Sequence, residues 1–108
     1  MSRLEKIREM LQHEPDDVFL RYALAMELDS AGRGDESLAL YAELMRGAPP
    51  HVPSFFRTAQ ILARQGKTAR VIETLQQGIR QAQAQGDPHT AMEMSQMLEE
   101  QQHADDEP

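Results

Sequence analysis

The sequence predicts an all-α protein of about six helices, stacked as antiparallel pairs, and three observations predict it. Apolar and polar residues almost nowhere alternate with the period of two that marks a half-buried strand. Breakers punctuate the 108 residues at Pro15, at Gly32 and Gly34, at Gly47 with Pro49 and Pro50, at Gly66 and at Gly86, leaving six stretches of helical length. The stretches also resemble one another at intervals of 34 to 36 residues, the mark of a repeated unit.

Each element has its own signals. Ser2 and Glu5 have the spacing of a capping box and open a helix over 3–13, which Pro15 closes. The second helix is expected over 17–31, ahead of Gly32, and the third over 35–47, ahead of the prolines. The fourth spans 53–65 before Gly66 and the fifth 69–85 before Gly86. Asp87 followed by Pro88 joins a capping carboxylate to the residue best suited to a first helical position, so a sixth helix is placed over 88–101. Residues 102–108 are polar and acidic with no apolar anchor and are expected to be a disordered tail. Residues 1–101 then form one domain: a half-repeat helix 3–13, repeats over 16–50 and 52–85, and a capping helix within 87–101.

The self-similarity sorts the helices into two alternating types. A shift of 34 places Leu4 on Leu38, Ile7 on Tyr41, Met10 on Leu44 and Pro15 on Pro49, and a further 34 takes Ser37, Tyr41 and Leu44 onto Val71, Leu75 and Gly78. For the other type a shift of 36 places Phe19 on Phe55, Tyr22 on Thr58, Ala23 on Ala59 and Met26 on Leu62, then Ala91, Met94, Ser95 and Leu98. That reading requires two extra residues before Gly32 and two before Gly86. It makes Phe19, Tyr22 and Met26 one core-facing stripe, with Ala23 and Ala59 as the small residues that let helices approach.

On these residues the sequence resembles the tetratricopeptide repeat, a helix-turn-helix unit of about 34 residues. Phe19, Tyr22, Ala23, Met26, Ser37, Tyr41, Leu44 and Pro49 fill its pattern once, and Phe55, Thr58, Ala59, Leu62, Gly66, Val71, Leu75 and Gly78 fill it again. Departures are Leu44 at a normally small site, Gln83 where a closing Pro is expected, and the insertion before Gly32. The resemblance covers roughly residues 3–101 and implies a right-handed superhelical stack, an α-solenoid used for protein–protein interaction. It also implies which residues face the inner, concave wall: Leu20, Arg21, Leu24 and Leu28, then Phe56, Arg57, Gln60 and Arg64, then Met92, Glu93, Gln96 and Glu100. The trough is expected to be apolar at one end, basic over an aromatic floor in the middle, and acidic at the other. Some members hold a chaperone's C-terminal carboxylate with Lys and Asn on these helices; Leu20 and Leu24 stand at the first two of those places, so that function is not carried over.

Composition narrows the functional classes. The net charge is -7, and all 11 Lys and Arg lie in residues 1–80 with 11 of the 18 acids, so the last 28 residues hold seven acids and no base. Neither nucleic acid nor an anionic membrane surface is expected as a partner, since both need clustered cations. The absence of Cys excludes disulfides and thiolate metal sites. No apolar run has the roughly 18 residues of a membrane span, and charge throughout the first 20 residues argues against a signal peptide, so a cytoplasmic location is expected. His13, His51, His89 and His103 lie apart without ligand spacing, the Ser residues have no fixed base, and neither metal, cofactor nor catalytic activity is expected.

The function expected is therefore a noncatalytic adaptor that binds a peptide or helix on its concave wall. There Arg57 and Arg64 over Phe56 would grip a carboxylate beside an apolar side chain, unless they pair with Glu93 and Glu100 instead. An alternative is self-association as a homodimer through the sixth helix, whose Met92, Met94 and Met97 would form an adaptable apolar surface. A third reading has the tail from Asp105 to Glu107 folding back onto the basic middle of the wall.

Overall fold

A computed structural model describes residues 1–106 and contains six helices: α1 (Arg3–His13), α2 (Val18–Ser30), α3 (Gly34–Met45), α4 (Val52–Arg64), α5 (Thr68–Ala84) and α6 (Pro88–Asp106). Each helix packs on the next, and α4 also touches α6. Two layers result, α2, α4 and α6 in one and α1, α3 and α5 in the other. The thinnest dimension of the molecule, 19 Å, is that of two helices laid side by side. Among the described residues there is no strand, and no helix is long and apolar enough to cross a membrane.

The helix starts follow the chemistry of the chain. Ser2 Oγ accepts the Glu5 amide at 3.1 Å while the Glu5 carboxylate accepts the Ser2 amide at 3.5 Å, the reciprocal capping expected for α1. Asp17 caps α2 through the Leu20 amide at 2.9 Å, and Asp87 caps α6 through the Thr90 amide at 3.1 Å. Gly32, Gly66 and Gly86 end α2, α4 and α5 with φ of 77°, 74° and 74°, a backbone that other residues rarely adopt.

The turns correct the repeat register. Arg33 N–H donates to the Leu28 carbonyl and Lys67 N–H to the Leu62 carbonyl, both closing on a glycine, and the residues preceding α2 and α4 are Asp17 and His51. All of these equivalences are 34 apart, so α2 matches α4 by 34, and the two-residue insertion placed before Gly32 does not exist. Ala25, not Ala23, corresponds to Ala59; both are wholly buried. Leu28 corresponds to Leu62, and Arg21 rather than Phe19 takes the place of Phe55. Phe19 is accordingly 76% exposed, whereas Phe55 is 4% exposed. The Phe19, Tyr22 and Met26 stripe exists, but it starts on the surface instead of in the core.

The other insertion is real. His51 and Asp87, the caps of α4 and α6, are 36 apart. Pro49 and Pro50 stop α3 at Met45, but Gln83 stands where Pro49 would recur, so α5 continues to Ala84.

Two clusters make the core. One centres on Phe55, Leu62, Leu75 and Met94 of α4, α5 and α6, the other on Ala25, Tyr41, Leu44 and Ile61 of α2, α3 and α4. Burying each of the larger side chains contributes roughly 1.5–3 kcal/mol. In the second cluster Ala25 lets α3 approach closely enough for Ser37 Oγ to donate to the Ala25 carbonyl at 2.6 Å. In α5, Gly78 does similar work: a Cβ there would lie 2.6 Å from both Phe55 Cβ and Met94 Sδ.

The expected disorder of 102–108 is not found over 102–106. The helix runs through residues 102–106, because polarity removes packing but not helix propensity, and no Gly or Pro intervenes between Pro88 and Pro108. Residues 107 and 108, and hence Glu107 of the proposed fold-back, lie outside the described residues. Residues 105 and 106 continue the axis of α6 in this structure instead of lying against α4.

Candidate interaction surface

The layer formed by α2, α4 and α6 carries a cleft of about 270 Å³ lined by Tyr22, Pro53, Phe56, Arg57, Gln60, Thr90 and Glu93. Three separate helices contribute to it, α2 and α6 fixed by their capping carboxylates and all three by apolar residues buried on the opposite face. Phe56 is half-buried and adjoins the α4–α6 core. Arg57 Nε–H donates to the Tyr22 hydroxyl at 3.2 Å, which holds the guanidinium and raises its pKa. The Tyr22 ring is itself packed, with centroids 4.8 Å from His51 and 5.8 Å from Tyr41. Tyr41 is buried, and burial pushes its phenol up to about 12. His51, the N-cap of α4, sets its Nδ1 2.8 Å from Ser54 Oγ, and burial lowers its pKa.

The expected concave residues separate into three groups. Phe56, Arg57, Gln60 and Glu93 meet in the cleft. Leu20, Arg21, Leu24 and Leu28 do not, because the register error of two residues rotates them some 200° about the helix axis. Leu28 lies in the core, Leu20 and Leu24 are half-buried, and Arg21 reaches α3, where it pairs with Glu43 at 2.5 Å. The positions that match Phe56, Arg57, Gln60 and Arg64 on α2 are Tyr22, Ala23, Met26 and Ser30. Tyr22 and Met26 also offer no Lys or Asn for a terminal carboxylate. Met92, Gln96 and Glu100 are exposed on α6 but do not line the cleft.

The arginines find partners on the preceding helix instead of the following one. Arg64 pairs with Asp29 of α2 at 2.5 Å, at the turn end of the wall, and not with Glu100. Arg57 bonds Tyr22 and has no carboxylate partner among the described residues, while Glu93 lies 3.4 Å from His89 on its own helix. The middle of the wall is thus less basic than expected, with one unneutralised guanidinium rather than two. The methionine surface is smaller too: Met94 is wholly buried and Met97 packs on the core, leaving Met92 exposed at 52%.

Tyr22, Pro53 and Thr90 line the cleft without having been expected there, and Phe19 stands at the α2 place that matches Pro53. The signal that locates them is the 34-residue spacing of Gly32 and Gly66, which outranks the match between two phenylalanines.

No protein-family model matches the sequence, and no curated protein is found to be similar. Two solved structures are. The solution NMR structure of a tetratricopeptide repeat domain protein from Salinibacter ruber shares 28% identity over 87% of this chain and 95% of that one, with a TM-score of 0.80. The solution structure of a protein from Bordetella parapertussis shares 21% identity over 97% of this chain and 91% of that one, with a TM-score of 0.83; this second likeness is one of fold.

Proposed function

The chain has the tetratricopeptide-type helical-repeat fold, which suggests a protein–protein interaction module, and on that premise we propose that its α2–α4–α6 wall binds a peptide or helix of another protein without catalysis. The observation that carries this reading is the cleft around Arg57. A guanidinium held in place by Tyr22 keeps its terminal N–H groups available beside a half-buried Phe56, which suits a carboxylate with a neighbouring apolar side chain. Gln60 and Glu93 supply further donors and acceptors on the same walls, and Phe19 extends the apolar surface along α2.

Arg57 and Arg64 are not equivalent in this reading. Arg57→Ala removes a free cation and weakens binding of the captured partner about tenfold or more, whereas Arg64→Ala breaks an exposed pair with Asp29 and changes binding little. Affinity capture from lysate, followed by titration of each retained protein against wild type, Phe56→Ala, Arg57→Ala and Arg64→Ala, tests it. Retained proteins that bind Phe56→Ala and Arg57→Ala as tightly as wild type would refute the reading.

A further inference from the structure

We propose a second docking site on the opposite layer, where the cleft between α3 and α5 binds an acidic segment of a partner protein and holds a carboxylate between Arg46 and Arg80. The cleft has a volume of about 360 Å³ and an apolar floor of Ala42, Met45 and Phe55, with Gln77 and Gln81 beside the arginines. Arg46 and Arg80 are 34 residues apart, one repeat period. They therefore stand at equivalent repeat positions, Arg46 as the C-cap of α3 and Arg80 within the longer α5, and the repeat itself puts both on one cleft.

The two cations are uncompensated. Among the described residues Arg3, Arg21, Arg33 and Arg64 are each in an ion pair with a carboxylate, while Arg46 and Arg80 are in none. Glu43 lies one turn before Arg46 and is the nearest acid in sequence, but it is held by Arg21 across the α2–α3 interface at 2.5 Å. One period later its place is taken by Gln77. Among the described residues no acid lines the cleft, in a chain whose net charge is -7. An anion that bridges the guanidiniums relieves their mutual repulsion and gains charge-assisted hydrogen bonds, with the Gln77 and Gln81 amides as further donors.

The chemistry of the floor and the total charge choose the occupant. Met45 and Phe55 suit an apolar residue next to the carboxylate, which a protein segment supplies. A nucleic acid would need a longer cationic track and exposed rings for stacking, and would be repelled by the rest of the molecule. The cations of this site come from the end of α3 and from α5, and only Phe55 of its floor belongs to α4, so it is tested separately from the Arg57 cleft.

Fluorescence anisotropy with a labelled peptide Glu-Glu-Leu-Glu-Glu-Leu, at about physiological salt, tests the proposal on the full chain. Arg46→Gln with Arg80→Gln is expected to weaken binding at least about tenfold, and replacing the peptide's Glu by Gln to do the same. Arg8→Gln with Arg70→Gln, an equal change of charge at exposed residues elsewhere, is expected to leave binding within about twofold. Circular dichroism confirms that each variant is folded. The proposal is overturned if the acidic peptide does not bind, if its Gln counterpart binds equally well, if the Arg8 and Arg70 pair matters as much as the Arg46 and Arg80 pair, or if a DNA duplex binds more tightly than the peptide.

Discussion

At the scale of single residues, small side chains and one half-buried histidine have the sharpest consequences. Gly78 sits inside a helix, where Ala is ordinarily preferred by about 1 kcal/mol. Here an added Cβ would meet Phe55 Cβ and Met94 Sδ at 2.6 Å, so overpacking, worth roughly 1–3 kcal/mol, opposes that gain. Gly78→Ala is expected to destabilise the protein by about 1 kcal/mol, read as a lower urea midpoint with an unchanged slope. His51 gives a pH dependence whose sign follows from burial. Its folded pKa lies below the ordinary 6.5, so as pH falls the unfolded chain takes up the proton first. Its contribution is fully present above about pH 6.5 and is lost as pH falls from there toward the folded value. The stability difference between wild type and His51→Gln, measured by urea titration from pH 7.5 to 5.5, should move against the wild type on acidification, by no more than about 1.4 kcal/mol per pH unit. A flat difference would mean that burial does not act on this ring.

At the scale of elements, the caps and the stops decide where helices begin and end. Asp17→Ala and Asp87→Ala each remove a carboxylate that satisfies a first-turn amide, and each is expected to cost about 1 kcal/mol in urea denaturation. Capping signals were readable directly: Ser2 with Glu5, and Asp87 before Pro88, open α1 and α6 as their chemistry requires. The extension of α6 to Asp106 was not readable from apolar content, since a helix needs propensity to continue but needs packing only to be stable. The face that α2 presents was misread for a different reason. Matching Phe19 to Phe55 rewards the largest side chains, whereas the actual equivalence runs through Ala25 and Ala59, whose value lies in having almost no side chain. A shift of two residues is invisible in composition, yet it turns a helix by more than half a revolution. It moved Leu28 into the core, Arg21 onto α3, and Phe19 and Tyr22 onto the α2–α4–α6 wall.

At the scale of the whole molecule, stability is unevenly distributed along the stack. α1 buries only Ile7, while α4 buries seven residues between α3, α5 and α6. In a stack whose helices pack chiefly on their sequence neighbours, stability is close to a sum of local interfaces. Native-state hydrogen exchange should therefore release the α1 amides well before those of α4 and α5. Uniform protection across all six helices would contradict this. The two clefts proposed as docking sites are distributed in the same way, one on each layer with one or two arginines unpaired among the described residues, and neither cleft is formed by a single helix.

The amino-acid sequence by itself determined the all-α class, the six helices and most of their ends, because breakers, caps and apolar spacing act within a few residues of chain. It also held the 34-residue period, in the glycines that close α2 and α4. Only the tertiary structure decided which arginines are free. Arg21 and Arg64 are neutralised by Glu43 and Asp29, which lie 22 and 35 residues away, whereas Arg46, Arg57 and Arg80 have no such acid among the described residues. Whether a charge is compensated depends on distances of a few ångströms between helices, and those are set by the packing of Ala25, Ala59 and Gly78 in the interior rather than by the charged residues themselves.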